Sequence, residues 1–349
     1  LVTGVQTCAL PIFRIRSQNY NCAGIQEFLV QEFKYWWEEY NRVRTLNLLA
    51  PIIQTTEKTE VTGQAPEVTA ISVTTWKEEW GHGPGQWAPW QSFEALSAGA
   101  TFTDWNGSRA PGSDWLNTHR VLARTATGLV AKNTNVDGVV ASTIYGKSGW
   151  LPVARFNHCD TSAQEGNYYD FEPYETDQGW GFSSSNGTLT ENITTLDYHT
   201  GTRSLKLSAF PGQKIGPIRQ FQPNSQDRSY VFSSWVKSES GFDPVNGQAR
   251  WEINIYRVDT GAQVGTTMNL DIGNTKNQWI YVQQTIDLVS LRNGLPTNVN
   301  LNNVNLNIVI RAYNQNTNKY TLVDNLRFSP RSEERRVGKE CRSRWSPYH

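Results

Sequence analysis

Two stretches place side chains capable of chemistry at every second residue. In "RWEINIYR" (250–257), Arg250, Glu252, Asn254 and Tyr256 alternate with Trp251, Ile253 and Ile255. In "LNIVIRAY" (306–313), Asn307, Val309, Arg311 and Tyr313 alternate with Leu306, Ile308, Ile310 and Ala312. Successive side chains of a strand point to opposite faces, so each stretch has an apolar side for a core and a polar side for solvent or a ligand. In "YVFSSWVK" (230–237), Tyr230, Phe232 and Val236 go with the core, which leaves Trp235 and Lys237 outside. Planar aromatics beside Arg, Glu and Asn suit a polyhydroxylated ligand. The ring stacks on pyranose C–H groups while the polar side chains satisfy hydroxyls. The same residue types also cover the outside of any sandwich, and Trp235 could instead cover a loop.

These strands need a frame, and the region 167–330 supplies one. It runs through "YYDFEPYE" (168–175), "HTGTRSLKLS" (199–208), "RSYVFSSWVKS" (228–238), "ARWEINIYRVD" (249–259), "NQWIYVQQTIDL" (277–288), "VNLNIVIRAYN" (304–314) and "TLVDNLRFSP" (321–330). Gly, Asn and Pro loops separate these segments, with no helical period between them, as in an antiparallel β-sandwich. In order and wording they resemble the jelly-roll carbohydrate-binding modules of the family 4, 9 and 22 type, with a galactose-binding-like fold. Phe171-Glu172, Thr200-Gly201 with Ser204-Leu205-Lys206, Tyr230 to Lys237, and Val323 to Leu326 carry that resemblance. It implies a polysaccharide or other glycan as partner. It also implies a structural calcium ion near the two ends of the sandwich, with Glu172 and Asp324 at the matching positions. A hard cation needs several oxygens, so backbone carbonyls around Thr200 would have to join them. Glu172 and Asp324 could alternatively cap turns or pair with Lys and Arg.

Upstream, residues 57–166 form a β-rich segment. "EVTAISVTTW" (67–76) is β-branched and half alternating, which predicts a strand. "GHGPGQWAPW" (81–90) is a turn region without the spacing of a phosphate-binding loop. Gly128, Gly138 and Gly149 recur at intervals of ten and eleven, each followed by an apolar run, the mark of a β-meander or repeat. "STIYGKSGWLPVA" (142–154) resembles the Rhs/YD repeats of bacterial surface proteins, although Gly146 follows Tyr145 where that family has Asp. "NTNVDG" (133–138) matches half a calcium loop but has Ile144 where a bidentate Glu is required, so Asp137-Gly138 reads as a hairpin turn. In 25–51, Leu29, Phe33, Trp36, Tyr40 and Val43 follow a four-three spacing that predicts one amphipathic helix ended by Pro51, within a helical segment 13–56.

The two ends read differently. "LVTGVQTCALPI" (1–12) and "RSEERRVGKECRSRWSPYH" (331–349) each resemble the in-frame translation of a sequencing-library adapter, and the single Met is Met268. The expectation is an internal fragment, roughly 13–330, of a longer secreted or cell-surface bacterial protein of metagenomic origin. Of 32 basic and 32 acidic residues, six and three fall in 331–349 and none in 1–12, leaving 26 and 29 in the body. That balance gives no reason to expect nucleic acid as a partner, and no apolar run approaches a membrane span. Fourteen Trp among polar residues suit an extracellular or cell-surface β protein.

Cys22 and Cys159 make no zinc pattern and are expected as reduced, buried thiols. His82, His119, His158 and His199 are scattered, and no hydrolase or phosphate-loop motif occurs. The expected fold is therefore mainly β, a C-terminal antiparallel jelly roll preceded by a β-meander and one N-terminal helix. The expected function is a non-catalytic carbohydrate-binding module. A structural or adhesive Rhs-like shell segment, or an accessory part of a truncated glycoside hydrolase, stands as the alternative.

Overall fold

The computed structural model describes residues 15–20, 26–35, 51–78, 80, 87–103, 105, 111–183, 187–296 and 304–331. The chain divides between Val139 and Val140 into two compact units. The end segments 1–12 and 332–349 lie outside the described residues, as do Cys22 and His82.

Among the described residues the first unit is an antiparallel meander of seven strands in chain order. These are β1 (Ile15–Tyr20), β2 (Gln26–Tyr35), β3 (Ile52–Val61), β4 (Glu67–Lys77), β5 (Ala88–Ala95), β6 (Trp115–Arg124) and β7 (Val130–Asn135). The predicted strand at 67–76 is β4. The predicted N-terminal helix is corrected: residues 26–35 are strand β2, paired along their length with β1 and β3. Residues 36–50, the rest of that reading, lie outside the described residues. The helical spacing counted Leu29 as core, yet Leu29 is exposed and Val30 is fully buried. A two-residue period was also available in Phe28 and Val30, and pairing on both edges selects it. Apolar contacts here are local, such as Phe102 packed against Phe93 and Trp115 at ring separations of 5.0 Å. After β7, Asn135 Oδ1 accepts from the N–H groups of Asp137 and Val139, and Gly138 sits at φ 73°. Asp137-Gly138 thus forms the turn that the sequence predicts, with glycine at the left-handed position.

The second unit opens with a hairpin of β8 (Val140–Gly146) and β9 (Leu151–Asn157). A sandwich of two antiparallel sheets follows. The back sheet runs in the order β12 (Ile193–Thr194), β13 (Ser204–Leu207), β20 (Thr321–Pro330), β15 (Ser229–Ser238), β18 (Ile280–Asp287), and β10 (Asn167–Tyr169) pairs with the end of β20. The front sheet runs β11 (Gly181–Phe182), β14 (Pro217–Phe221), β19 (Leu306–Asn314), β16 (Ala249–Arg257), β17 (Met268–Ile272). A six-residue helix, α1 (Leu288–Asn293), follows β18 and is capped by the Asp287 side chain accepting from Ser290 N–H.

The period-two reading is realised at the core. Trp251, Ile253 and Ile255 from β16 and Leu306, Ile308, Ile310 and Ala312 from β19 face Tyr230, Phe232 and Val236 from β15, all essentially inaccessible. Trp251 meets Phe232 edge-on at 4.7 Å and Trp180 at 5.9 Å, which anchors the two sheets to each other.

Candidate functional site

The outward residues of β16 and β19 stand opposite one another: Arg250 faces Tyr313, Glu252 faces Arg311, Asn254 faces Val309 and Tyr256 faces Asn307. Cross-strand partners share a face, so seven of the eight expected ligand contacts lie on the front sheet's outer surface. Strong inward packing fixes the register, because a slip of one residue would turn Trp251 and Ile253 to solvent.

Glu252 is the hub of this face and is nearly buried. Its carboxylate takes an ion pair from Lys214, a 3.0 Å hydrogen bond from Asn254 Nδ2 and a 3.3 Å one from the Tyr313 hydroxyl. Burial works to raise the Glu252 pKa, but Lys214, Asn254 and the nearby Arg311 outweigh it and hold the group below the usual glutamate range. Asn254 Oδ1 in turn accepts from Thr267 Oγ1 at 2.7 Å. Arg250 Nε lies 3.0 Å from Asp271 Oδ1, an ion pair angled away from a hydrogen bond. Tyr313 is 3 % exposed beneath the Lys214 ammonium, so its ring offers little open surface; Tyr256 is half-buried.

Among the described residues three shielded polar atoms on this face lack a hydrogen bond, and one of them, Arg250 Nε, has the Asp271 ion pair instead. The other two, Asn307 Oδ1 and Arg311 Nε, are shielded from solvent and have no hydrogen-bond partner among the described residues. A buried acceptor and a buried donor without partners are costly unless something else satisfies them.

Trp235 is the exception, and its grouping with the other seven is corrected. It belongs to β15 of the back sheet, where it stacks on His199 at 3.7 Å and 13° and tilts against Tyr281. The His199–Thr200 loop lies on its face, the loop-covering role that the sequence left open. Trp279 packs nearby, its indole donating to Asp197 Oδ1 at 3.1 Å.

That loop leads to the second candidate site. Asp324, fully buried on β20, accepts from His199 N–H at 2.8 Å and Thr200 N–H at 3.3 Å. Its carboxyl group is hydrogen-bonded to that of Asp170. The Thr200 hydroxyl lies 3.2 Å from Asp170 Oδ2, and Asn325 Nδ2 reaches both Asp170 and Thr200. Burial first, and then the Asp170 charge, push Asp324 up to about 8; burial likewise raises Asp170. Glu175 is pushed up to about 7, chiefly by burial.

Glu172 is employed otherwise. Oε1 accepts from the N–H groups of Thr202 and Arg203, and Oε2 from the Thr202 hydroxyl. Gly201 makes this possible, because at φ 69° a Cβ there would lie 2.2 Å from Glu172 Oε1. The donor chemistry therefore fits a hard cation at Asp170, Asp324 and Thr200, and does not fit one at Glu172, whose oxygens are taken. Among the described residues no three His, Cys, Asp or Glu side chains converge as a metal site.

Asp170 is the residue that sequence reasoning missed, although it stands in "YYDFEPYE" two positions before Glu172. Lys214 was missed too; it is 38 positions from Glu252, and no local pattern signals such a pairing. Cys159 is a free, buried thiol, as expected.

No protein-family model matches the chain, and no curated protein does. Solved structures with a similar strand layout do exist. The family 22 xylan-binding domain from Paenibacillus barcinonensis Xyn10C is 15 % identical, over 47 % of this chain and 92 % of that one, with a TM-score of 0.32. A second family 22 module, from Clostridium thermocellum Xyn10B, is 13 % identical over 48 % and 94 %, TM-score 0.32. A family 16 carbohydrate-binding module is 16 % identical over 44 % and 88 %, TM-score 0.28. At those scores the fold of this chain stands on its own strand registers, not on the likeness.

Proposed function

We propose that the sandwich is a non-catalytic carbohydrate-binding module that takes a glycan chain across the outer face of the front sheet. The observation that carries this reading is two shielded atoms without a hydrogen bond among the described residues, Asn307 Oδ1 opposite Tyr256 and Arg311 Nε opposite Glu252. A sugar hydroxyl both donates and accepts, so hydroxyls of successive rings of a glycan chain can satisfy the two atoms, which stand four residues apart on β19, while the Tyr256 ring covers a C–H face. The surrounding ion pairs hold these groups in place before a ligand arrives, which limits the ordering cost of binding. On this reading the protein works outside the cell or on its surface, and the β-rich segment before the sandwich presents or spaces the module.

Glycan-array binding of the whole chain, followed by calorimetry on the best ligand, tests the proposal. Xylan, named for two of the similar structures, is one arm. Tyr256→Ala and Arg311→Ala are each expected to weaken binding about tenfold or more, and Trp235→Ala to leave it unchanged. Binding to no glycan, or binding indifferent to both front-face changes, removes the proposal.

A structural calcium ion on the back sheet belongs to the same reading. Asp170, Asp324 and the Thr200 hydroxyl would hold it, and its charge would replace the shared proton between the two carboxyl groups. The support is that, among the described residues, no Lys or Arg hydrogen-bonds to either carboxyl group. Thermal melts in excess calcium and in chelator check this. Saturation at about 100 times the dissociation constant should add about 2.7 kcal/mol, and Asp170→Asn should abolish the difference.

A further inference from the structure

The back sheet's outer surface holds a groove that the front-face reading does not use. It is about 840 Å³ and lies between the outward side chains of β15, β18 and β20 and the residues Arg155, Phe156 and Asn157 of β9. That is within the range of small-molecule sites, roughly 300–1,000 Å³. Its charged lining is Arg155, Arg228, Arg327 and Arg331 against Asp227.

The arginines differ in what they already do. Arg228 is committed, donating to His158 O at 2.8 Å and lying 3.7 Å from Glu165. Arg155 and Arg327 are exposed and have no ion pair among the described residues. Arg327 is nevertheless held in place, its guanidinium 5.1 Å from the ring centroid of the buried Phe156. Such stacking leaves the N–H edge free for an anion. The rest of the lining is uncharged and includes the hydrogen-bonding Ser233, Gln283 and Thr285 together with Tyr281, which is 46 % exposed.

We infer that this groove is a second saccharide site, specific for glycans that carry a carboxylate, with Arg155 and Arg327 taking the uronate group. The inference shares with the front-face reading the premise that the module binds glycans, but it concerns the other sheet and another ligand charge. A single guanidinium matches a carboxylate in bidentate geometry, two of them line this groove, and Tyr281 with its amide and hydroxyl neighbours suits the ring that bears the acid. Glu165 offsets Arg228 and Asp227 offers one further carboxylate in the lining, so the net positive charge of the groove is small, which favours a ligand with one charge per ring.

The experiment is calorimetry of the whole chain with tri-galacturonate, with its methyl ester, and with a short single-stranded DNA of equal charge. The acid should bind, and esterification should cost about tenfold or more, since it removes the charge-assisted contacts. Arg155→Gln and Arg327→Gln should each weaken acid binding by about the same factor, and added salt should weaken it further. Both side chains are exposed, and circular dichroism verifies that the variants fold. Arg311→Ala on the front face should leave acid binding unchanged, so a failure of the front-face reading is seen separately. The inference is overturned if the acid does not bind, if the ester binds equally, if both variants bind like the parent, or if DNA binds more tightly.

Discussion

The two outer faces of the sandwich are built on one core and solve different problems. On the front sheet, opposite charges meet across strands: Lys214 on Glu252, Arg250 beside Asp271. On the back sheet, like charges are kept together, with Asp170 and Asp324 sharing a hydrogen bond at one place and arginines lining a groove at another. Inward residues are constrained by packing density, so their types are dictated; outward residues are not, and there the two sheets diverge. Among the described residues the front face leaves two shielded atoms, Asn307 Oδ1 and Arg311 Nε, with neither a hydrogen bond nor an ion pair. The back face carries Arg155 and Arg327, exposed and without an ion pair among the described residues, and this marks it as dependent on its surroundings.

The largest expected effect breaks both faces together. Trp251→Ala empties the contact between Phe232 and Trp180 and should cost about 3–5 kcal/mol. Urea melts should show this as a lower midpoint with an unchanged slope. A loss below about 1 kcal/mol, far short of that cavity cost, would mean that the sheets are not held by this residue.

The next change separates the faces. Gly201→Ala puts a methyl group onto Glu172 Oε1 and forces a left-handed backbone on alanine, at a cost of about 1–3 kcal/mol. It should lower the melting temperature and weaken any calcium response, while glycan affinity on the front sheet stays at the parental value. Parallel loss of front-face affinity would show that the two outer surfaces are coupled through the core.

These contrasts were unevenly legible in the sequence. The core and the front face followed from alternation, because in β16 and β19 the large aliphatic residues, with the exception of Val309, occupy one parity. In β2 both parities contain apolar residues, Phe28 and Val30 on one and Leu29 and Phe33 on the other. Period alone could not choose there, and the helical spacing was an accident of the mixture. Pairing with β1 and β3 decides that segment, and pairing is a property of residues far apart. The Asp170–Asp324 contact spans 154 positions for the same reason. Trp235 was read correctly as outward-facing, yet which sheet it left was not in its own strand.

A smaller effect tests how the front face holds its charge. Lys214→Ala removes an ion pair whose lysine is 47 % exposed, so solvent screening keeps the stability cost within about 1 kcal/mol. The depressed Glu252 pKa gives that cost a pH signature. A carboxylate whose folded pKa lies below its unfolded value, about 4.3 for Glu, stabilises the fold above that value. The contribution fades as pH falls through the folded pKa. The parent and Lys214→Ala should therefore differ at neutral pH and converge in acid once Glu252 protonates in both. Melts that stay apart by the same amount at every pH would show that Lys214 acts by covering Tyr313 rather than by its charge.

The smallest effect leaves stability untouched and reads the back-sheet side of the unit by chemistry. Cys159 is 1 % exposed and packed with Ile144 and Phe156, under the same ring that carries Arg327. Burial, reinforced by Glu165, pushes its thiol up to about 12, so almost no thiolate exists at pH 8. Iodoacetamide at that pH should leave Cys159 unmodified in the native protein and label it fully in urea, as peptide mapping would show. Arg327→Gln removes the guanidinium from above Phe156 without opening the pocket beneath, so native protection should persist in that variant. Rapid native labelling in Arg327→Gln would mean that the arginine is a lid on the hairpin core, and that its place in the groove is structural before it is a matter of binding.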